Sequence, residues 1–124
     1  MHELAICQSV LRQVLAVAAS HNARHIGRIT LRIGPLAGVE PDLLRSAFPL
    51  VAAGTSCEGA MIEIEATPVE VRCRICAAIS NARPNRLLCE SCGTWRVTLV
   101  SGDEMLLARI EMLDAPPAEE QGAA

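Results

Sequence analysis

Apolar residues fall at helical spacing from the start of the chain. Leu4, Cys7, Leu11, Val14, Leu15 and Ala18 recur at steps of three, four and seven, with Arg12 and Gln13 off that stripe. This predicts an amphipathic helix over 3–20, ended by His21-Asn22-Ala23. From Gly27 to Gly34 the pattern switches to strict alternation, with Ile29, Leu31 and Ile33 on one face of a half-buried strand. Gly34-Pro35-Leu36-Ala37-Gly38 reads as a loop. Pro41 suits the first turn of a second helix through Leu44, Ala47, Phe48 and Val51, which Gly54 closes. Alternation returns over Met61–Thr67, where Ile62, Ile64 and Ala66 oppose Glu63, Glu65 and Thr67, and again over Asp103–Leu113, where Leu106, Ala108, Ile110 and Met112 share a face. Between these two strands, 69–100 offers only short apolar runs, such as Leu87-Leu88 and the pair Val97 and Leu99. Such a segment needs a staple to hold a fold. The fold class expected is α+β: two helices packed on a three-stranded sheet, with a four-cysteine module inserted between the second and third strands. Residues 1–68 and 101–113 then form one domain, 69–100 the inserted one, and 114–124, with Pro116-Pro117 and small polar residues, a disordered tail.

Composition narrows the function classes. The chain has 124 residues, 51% of them hydrophobic, but Phe48 and Trp95 are its only aromatics. Modules that stack bases on aromatic platforms are therefore poorly supported. The formal net charge of −3 comes from Asp114, Glu119 and Glu120, so 1–113 is neutral, and all eleven basic residues are arginine. No global electrostatic footprint for a polyanion exists. No apolar stretch is expected to reach the ~18 residues of a membrane span, and Met1–Cys7 lacks the basic region of a secretory signal. A cytoplasmic protein without a membrane partner is the expectation, and there paired cysteines point to metal more often than to disulfides.

Cys73-x-x-Cys76 and Cys89-x-x-Cys92 are separated by twelve residues. Each pair can wrap one edge of a tetrahedron, together supplying four thiolates at about 2.3 Å from Zn²⁺. Gly93 suits the tight turn after the second pair. With every position taken by sulfur, such a zinc ion is structural and leaves no place for a reactive water. Redox pairs, disulfides and a rubredoxin-like iron site are the alternatives. Arg72, Arg74, Arg83, Arg86 and Arg96 face only Glu90 within 71–98. The resulting positive charge is modest once the thiolates are counted, leaving a solvated face, an acidic protein partner or a nucleic-acid contact as its readings. Cys7 lies on the first helix's apolar stripe and reads as a small buried hydrophobe, while Cys57, in the Gly54–Gly59 turn, reads as a free thiol.

The N-terminus carries a second candidate site. Methionine ahead of a histidine should be retained, so the Met1 α-amine, the backbone nitrogen of His2 and its imidazole can close chelate rings on one metal, with Glu3 completing the set. Nitrogen donors in a plane suit Ni²⁺ or Cu²⁺, whereas thiolates suit zinc, so one chain can sort two metals. Protons compete for these donors, which weakens binding as pH falls through the histidine range. The bland alternative is a helix-start glutamate favoured by the dipole.

Taken together, the N-terminal Met-His-Glu, the segment Arg28–Phe48, the four spaced cysteines and Ser101–Met112 resemble the HypA/HybF nickel metallochaperones of [NiFe]-hydrogenase maturation, over residues 1–113. The resemblance implies a nickel-binding α+β domain and a zinc domain, with structural Zn(II) on Cys73, Cys76, Cys89 and Cys92. It also implies transferable Ni(II) on Met1, His2 and Glu3, with Glu40, in the Gly38-Val39-Glu40-Pro41 loop, near the nickel. Implied partners are a HypB-type GTPase, the hydrogenase large subunit and, in some members, urease accessory machinery. No enzyme is expected: the chain has no phosphate-binding loop and no nucleophile set. The competing class is a zinc-ribbon module that contacts nucleic acid or a protein scaffold. Val71-Arg72 stand before Cys73 where many relatives carry an aromatic.

Overall fold

The computed structural model describes residues 2–114, His2 by its backbone alone. The elements in order are α1 (His2–Ser20), β1 (His25–Ile33), α2 (Pro41–Ala52), β2 (Met61–Ala66), β3 (Glu70–Cys73), β4 (Ile79–Asn81), β5 (Val97–Ser101) and β6 (Met105–Leu113). They form two three-stranded sheets, ordered β2-β1-β6 and β4-β3-β5. The described chain divides into two compact units, one of residues 2–31, 40–64 and 107–114, the other of 32–39 and 65–106. Both helices, the sheet they accompany and the four-cysteine segment agree with the expected α+β class. The expected disordered tail at 114–124 lies outside the described residues beyond Asp114.

In the first unit the core is aliphatic, as the scarcity of aromatics requires. Cys7, Val10, Val14 and Ala18 of α1, Leu44, Phe48 and Ala52 of α2, and Ile26, Ile29 and Leu31 of β1 are all buried. The centre of the α1 stripe is thus rotated from the sequence expectation. Val10 lies in it, whereas Leu4, Leu11 and Leu15 form its half-buried flanks. The Cys7 thiol donates to the Leu44 carbonyl at 3.5 Å, tying α1 to α2 near the N-terminal ends of both helices. Thr30 is fully buried on β1 and donates its hydroxyl to Glu63 at 3.5 Å. Arg28 reaches Glu63 of β2 and Glu111 of β6 at 3.7 and 3.8 Å, as the central position of β1 allows. Exposed pairs of this kind contribute at most about 1 kcal/mol each.

Two expectations need correction. The window Glu3–Ser20 is 18 residues long with a mean hydropathy of 1.2, so by length and composition it could cross a membrane. Ala5, Ile6, Ala16, Val17 and Ala19, outside the buried stripe, raise its average, although that stripe packs on α2. The faces expected to be buried on the outer strands are also only partly covered. Ala66, Leu106 and Ala108 are exposed, and Leu106 keeps 51% of its surface, because β2 and β6 are the edges of the sheet. Residues 69–100 hold all of β3 and β4 and most of β5. There, backbone pairing around β3 substitutes for apolar mass.

Within the second unit, the chain segments that enter and leave this sheet are laced together. Gly34 N–H donates to Glu104 O at 2.9 Å and Leu36 N–H to Gly102 O at 2.7 Å, while Ser101 Oγ donates to Pro68 O at 2.8 Å. The Glu104 carboxylate accepts the Gly102 N–H at 2.7 Å. Its own backbone N–H, then that of Gly102, hold its pKa below the ordinary carboxylate value. Gly34 is required at this crossing, because a Cβ there would stand 2.1 Å from the Gly102 carbonyl oxygen and 2.2 Å from its carbon. Both are backbone atoms that cannot swing aside. Gly34→Ala is accordingly expected to lower stability by about 2–3 kcal/mol, read as a reduced urea midpoint with an unchanged slope.

Candidate metal centres

β3 ends at Cys73, and the chain then turns through Arg74 and Ile75 to Cys76. The second knuckle repeats the backbone bonds that close the first. Cys73 N–H donates to Ala78 O and Cys89 N–H to Thr94 O, both at 2.9 Å. The Ala77 N–H returns to Cys73 O at 3.1 Å and the Gly93 N–H to Cys89 O at 2.8 Å. The residue after the second cysteine of each pair is left-handed, with φ of 66° at Ala77 and 76° at Gly93. The sequence reading foresaw this for Gly93 and missed it for Ala77, since alanine gives no sign of a positive φ.

This pseudo-symmetry brings the four thiols together. All four Sγ atoms lie within 4.8 Å of one another, with Cys73–Cys92 at 3.5 Å and Cys76–Cys89 at 3.7 Å. A regular tetrahedron with arms of about 2.3 Å has edges of about 3.8 Å, so the sulfurs stand at near-ligating separations. Backbone donors are already aimed at the anionic form: Ile75 and Cys76 N–H at Cys73 Sγ, both 3.3 Å, and Cys92 N–H at Cys89 Sγ, 3.4 Å. The Cys76 N–H is the main reason the Cys73 thiol is lowered to about 6. The Cys92 N–H likewise lowers Cys89. Cys92 feels a lowering contact from the Thr94 N–H, but the neighbouring thiol of Cys73 and burial outweigh it and push it up to about 11. One cysteine of each pair is a buried residue and the other an exposed one. The cluster can hold a metal ion, and four soft sulfur donors in a tetrahedron are the set that zinc takes. Cys7 and Cys57 stand apart from it. Both are buried, as expected for Cys7, and burial alone pushes Cys57 up to about 11.

At the other candidate site Met1 lies outside the described residues, and His2 is described only as the first residue of α1. Glu3, in the first turn, extends its carboxylate to the backbone of α2, where Oε2 accepts the Glu40 N–H at 3.3 Å. Glu40 is the N-cap of α2, with φ −90° and ψ 110°, and its side chain makes no capping hydrogen bond. The chain therefore brings together two of the residues singled out at positions 3 and 40. Nothing in their sequence separation of 37 residues announces that contact.

Residues 1–112 match the HypA family, described as hydrogenase/urease nickel incorporation, metallochaperone. The hydrogenase maturation factor HypA of Nitrosospira multiformis is 42% identical over 113 residues, spanning 91% of this chain and 98% of that protein. Its counterpart in Aquifex aeolicus is 34% identical over 112 residues, spanning 90% and 97%. Among solved structures, the solution structure of the Ni metallochaperone HypA from Helicobacter pylori superposes with a TM-score of 0.67 at 26% identity, covering 90% of this chain and 97% of that one. With sequence, fold and cysteine cluster in agreement over nearly its whole length, the chain belongs to the HypA family of hydrogenase maturation factors, whose members are chaperones and not enzymes.

Proposed function

We propose that the chain is a nickel metallochaperone that captures Ni(II) at its N-terminus and carries it to a maturing [NiFe]-hydrogenase. The Met1 amine, the His2 backbone nitrogen and imidazole, and Glu3 are the proposed ligand set, with Glu40 beside it. The observation that carries this reading is the 3.3 Å bond from the Glu40 N–H to the Glu3 carboxylate. It ties the first turn of α1 to the start of α2, which supports a ligand set that includes Glu3 with Glu40 as its neighbour. Nickel is cargo: a site at a chain end gives an acceptor direct access for ligand exchange. The chain has no phosphate-binding loop, so hydrolysis of GTP falls to a HypB-type partner. The hydrogenase large subunit is the proposed acceptor, with urease accessory machinery as a second customer and the cytoplasm as the place of work.

Cys73, Cys76, Cys89 and Cys92 are proposed to hold a resident structural Zn(II). Bound there, zinc supplies no reaction chemistry and cross-links the two knuckles of 69–100. This assignment has a thiol count as its test. The metal-loaded protein should leave Ellman's reagent nearly colourless at pH 8. A chelator should expose four reactive thiols, and denaturant all six of the chain's cysteines, because Cys7 and Cys57 remain buried until the first unit unfolds. Six thiols reactive without chelator would remove the metal from this picture.

The nickel site is tested by calorimetry on untagged, zinc-loaded protein. Wild type is expected to bind one Ni(II), and both His2→Ala and a long N-terminal extension to abolish that binding. Affinity should fall as pH drops, because protons compete with the metal for the nitrogen donors. Equal binding by all three proteins would place nickel elsewhere.

A further inference from the structure

The second unit carries a cluster of arginines that the metal sites do not use. In the antiparallel pairing of β3 with β5, Arg72 is opposite Thr98 and Cys73 opposite Val97. The pairing extends one step further, because the Arg74 N–H donates to the Arg96 carbonyl at 2.9 Å. Two arginines thus stand abreast where the first knuckle leaves the sheet. Arg74 Nε donates to Thr98 Oγ1 at 3.1 Å, which puts its side chain on the face shared by Thr98 and Arg72. The Arg96 guanidinium sits 5.5 Å from the centre of the Trp95 ring. Trp95 keeps 71% of its surface exposed, and Ile79, opposite Arg72 on β4, keeps 52%.

Like charges placed abreast on neighbouring strands destabilise a sheet. On β1 the arginines are instead matched with acids, since Arg28 faces Glu63 and Glu111 and Arg32 faces Glu65, although Arg83 and Arg86 also stand opposite one another across an isolated bridge. Among the described residues Arg72, Arg74 and Arg96 make no ion pair. Guanidinium forks beside an exposed tryptophan and an exposed isoleucine have the composition of the energetic centre of a protein interface. The missing element is the counter-charge. Arg72 and Arg74 are two residues apart on an extended strand, a repeat of about 6.6 Å. Acidic residues at alternate positions of an extended peptide present carboxylates at the same repeat, in the planar geometry a guanidinium takes bidentately. A nucleic acid fits less well. The chain carries a formal charge of −3, and Trp95 is its only exposed aromatic.

We infer that the face formed by Arg72, Arg74, Arg96, Trp95 and Ile79 docks an extended acidic segment of a protein partner. The inference does not depend on where nickel binds. Because Trp95 is the only tryptophan, its emission reports the contact directly. The probes are a fluorescein-labelled peptide of alternating glutamate and alanine, a lysine–alanine counterpart, and an oligothymidine of equal charge, each titrated into the zinc-loaded full chain. The glutamate peptide should bind saturably, shift the Trp95 emission, and weaken as salt is raised. Arg74→Glu/Arg96→Glu should lose that peptide by about tenfold or more and gain the lysine peptide, a gain that misfolding cannot produce. The assignment is overturned if the glutamate peptide fails to bind, or if oligothymidine binds more tightly. It is equally overturned if the double variant keeps the glutamate peptide, or loses it without gaining the lysine one.

Discussion

Four sulfur atoms confined within 4.8 Å of one another are the constraint on which the second unit depends. As thiolates they repel, and only a cation among them turns the cluster into a cross-link. The unit has little else to rely on: Ile33, Val69 and Val71 are buried there, and the other buried hydrophobic positions are Cys73 and Cys89 themselves. Apolar burial on this scale does not order a segment the length of 69–100. Hydrogen bonding does what burial cannot. Each knuckle closes with the same pair of backbone bonds, and three N–H groups are aimed at sulfur before any metal is considered.

The first unit rests on the opposite principle. α1 and α2 contribute seven buried side chains, and β1 supplies Ile26, Ile29 and Leu31. Small and aliphatic residues dominate because helix-to-helix contact at Cys7 and Leu44 is close enough for a thiol to reach a backbone carbonyl. Only Phe48 provides aromatic volume in this core. A rigid pair of helices gives residues 3 and 40 a reproducible separation, and the Glu3–Glu40 bond uses it. The first turn of α1 thereby gains what helix starts near a terminus usually lack, a fixed partner.

Charge is distributed according to the same division. On β1, arginines alternate with apolar residues and meet glutamates of the neighbouring strands. Around the cysteines, the arginines meet no acid among the described residues. A bound tetrathiolate zinc would carry a net charge of −2, and nearby arginines offset part of it through space. That long-range compensation still leaves the guanidinium groups exposed and free to bind.

Much of this was legible in the sequence because it depends on local spacing. The two helices, the strands β1, β2 and β6, and both cysteine knuckles follow from period 3.6, period 2 and the two-residue gap within each cysteine pair. Family membership follows from the same residues. What depends on partners distant in the chain was not legible. The burial of Val10, the exposure of Leu106 and Ala108, and the length of β3 and β5 are set by which strand lies at an edge and which helix lies opposite. Ala77 adopts a left-handed conformation because the knuckle closes around it, against its own preference. The contact of Glu3 with Glu40, and of Arg74 with Arg96, exists only once the chain has turned back on itself. Local periodicity determines which elements form, whereas the tertiary fold decides which side chains lose water and which charges become neighbours.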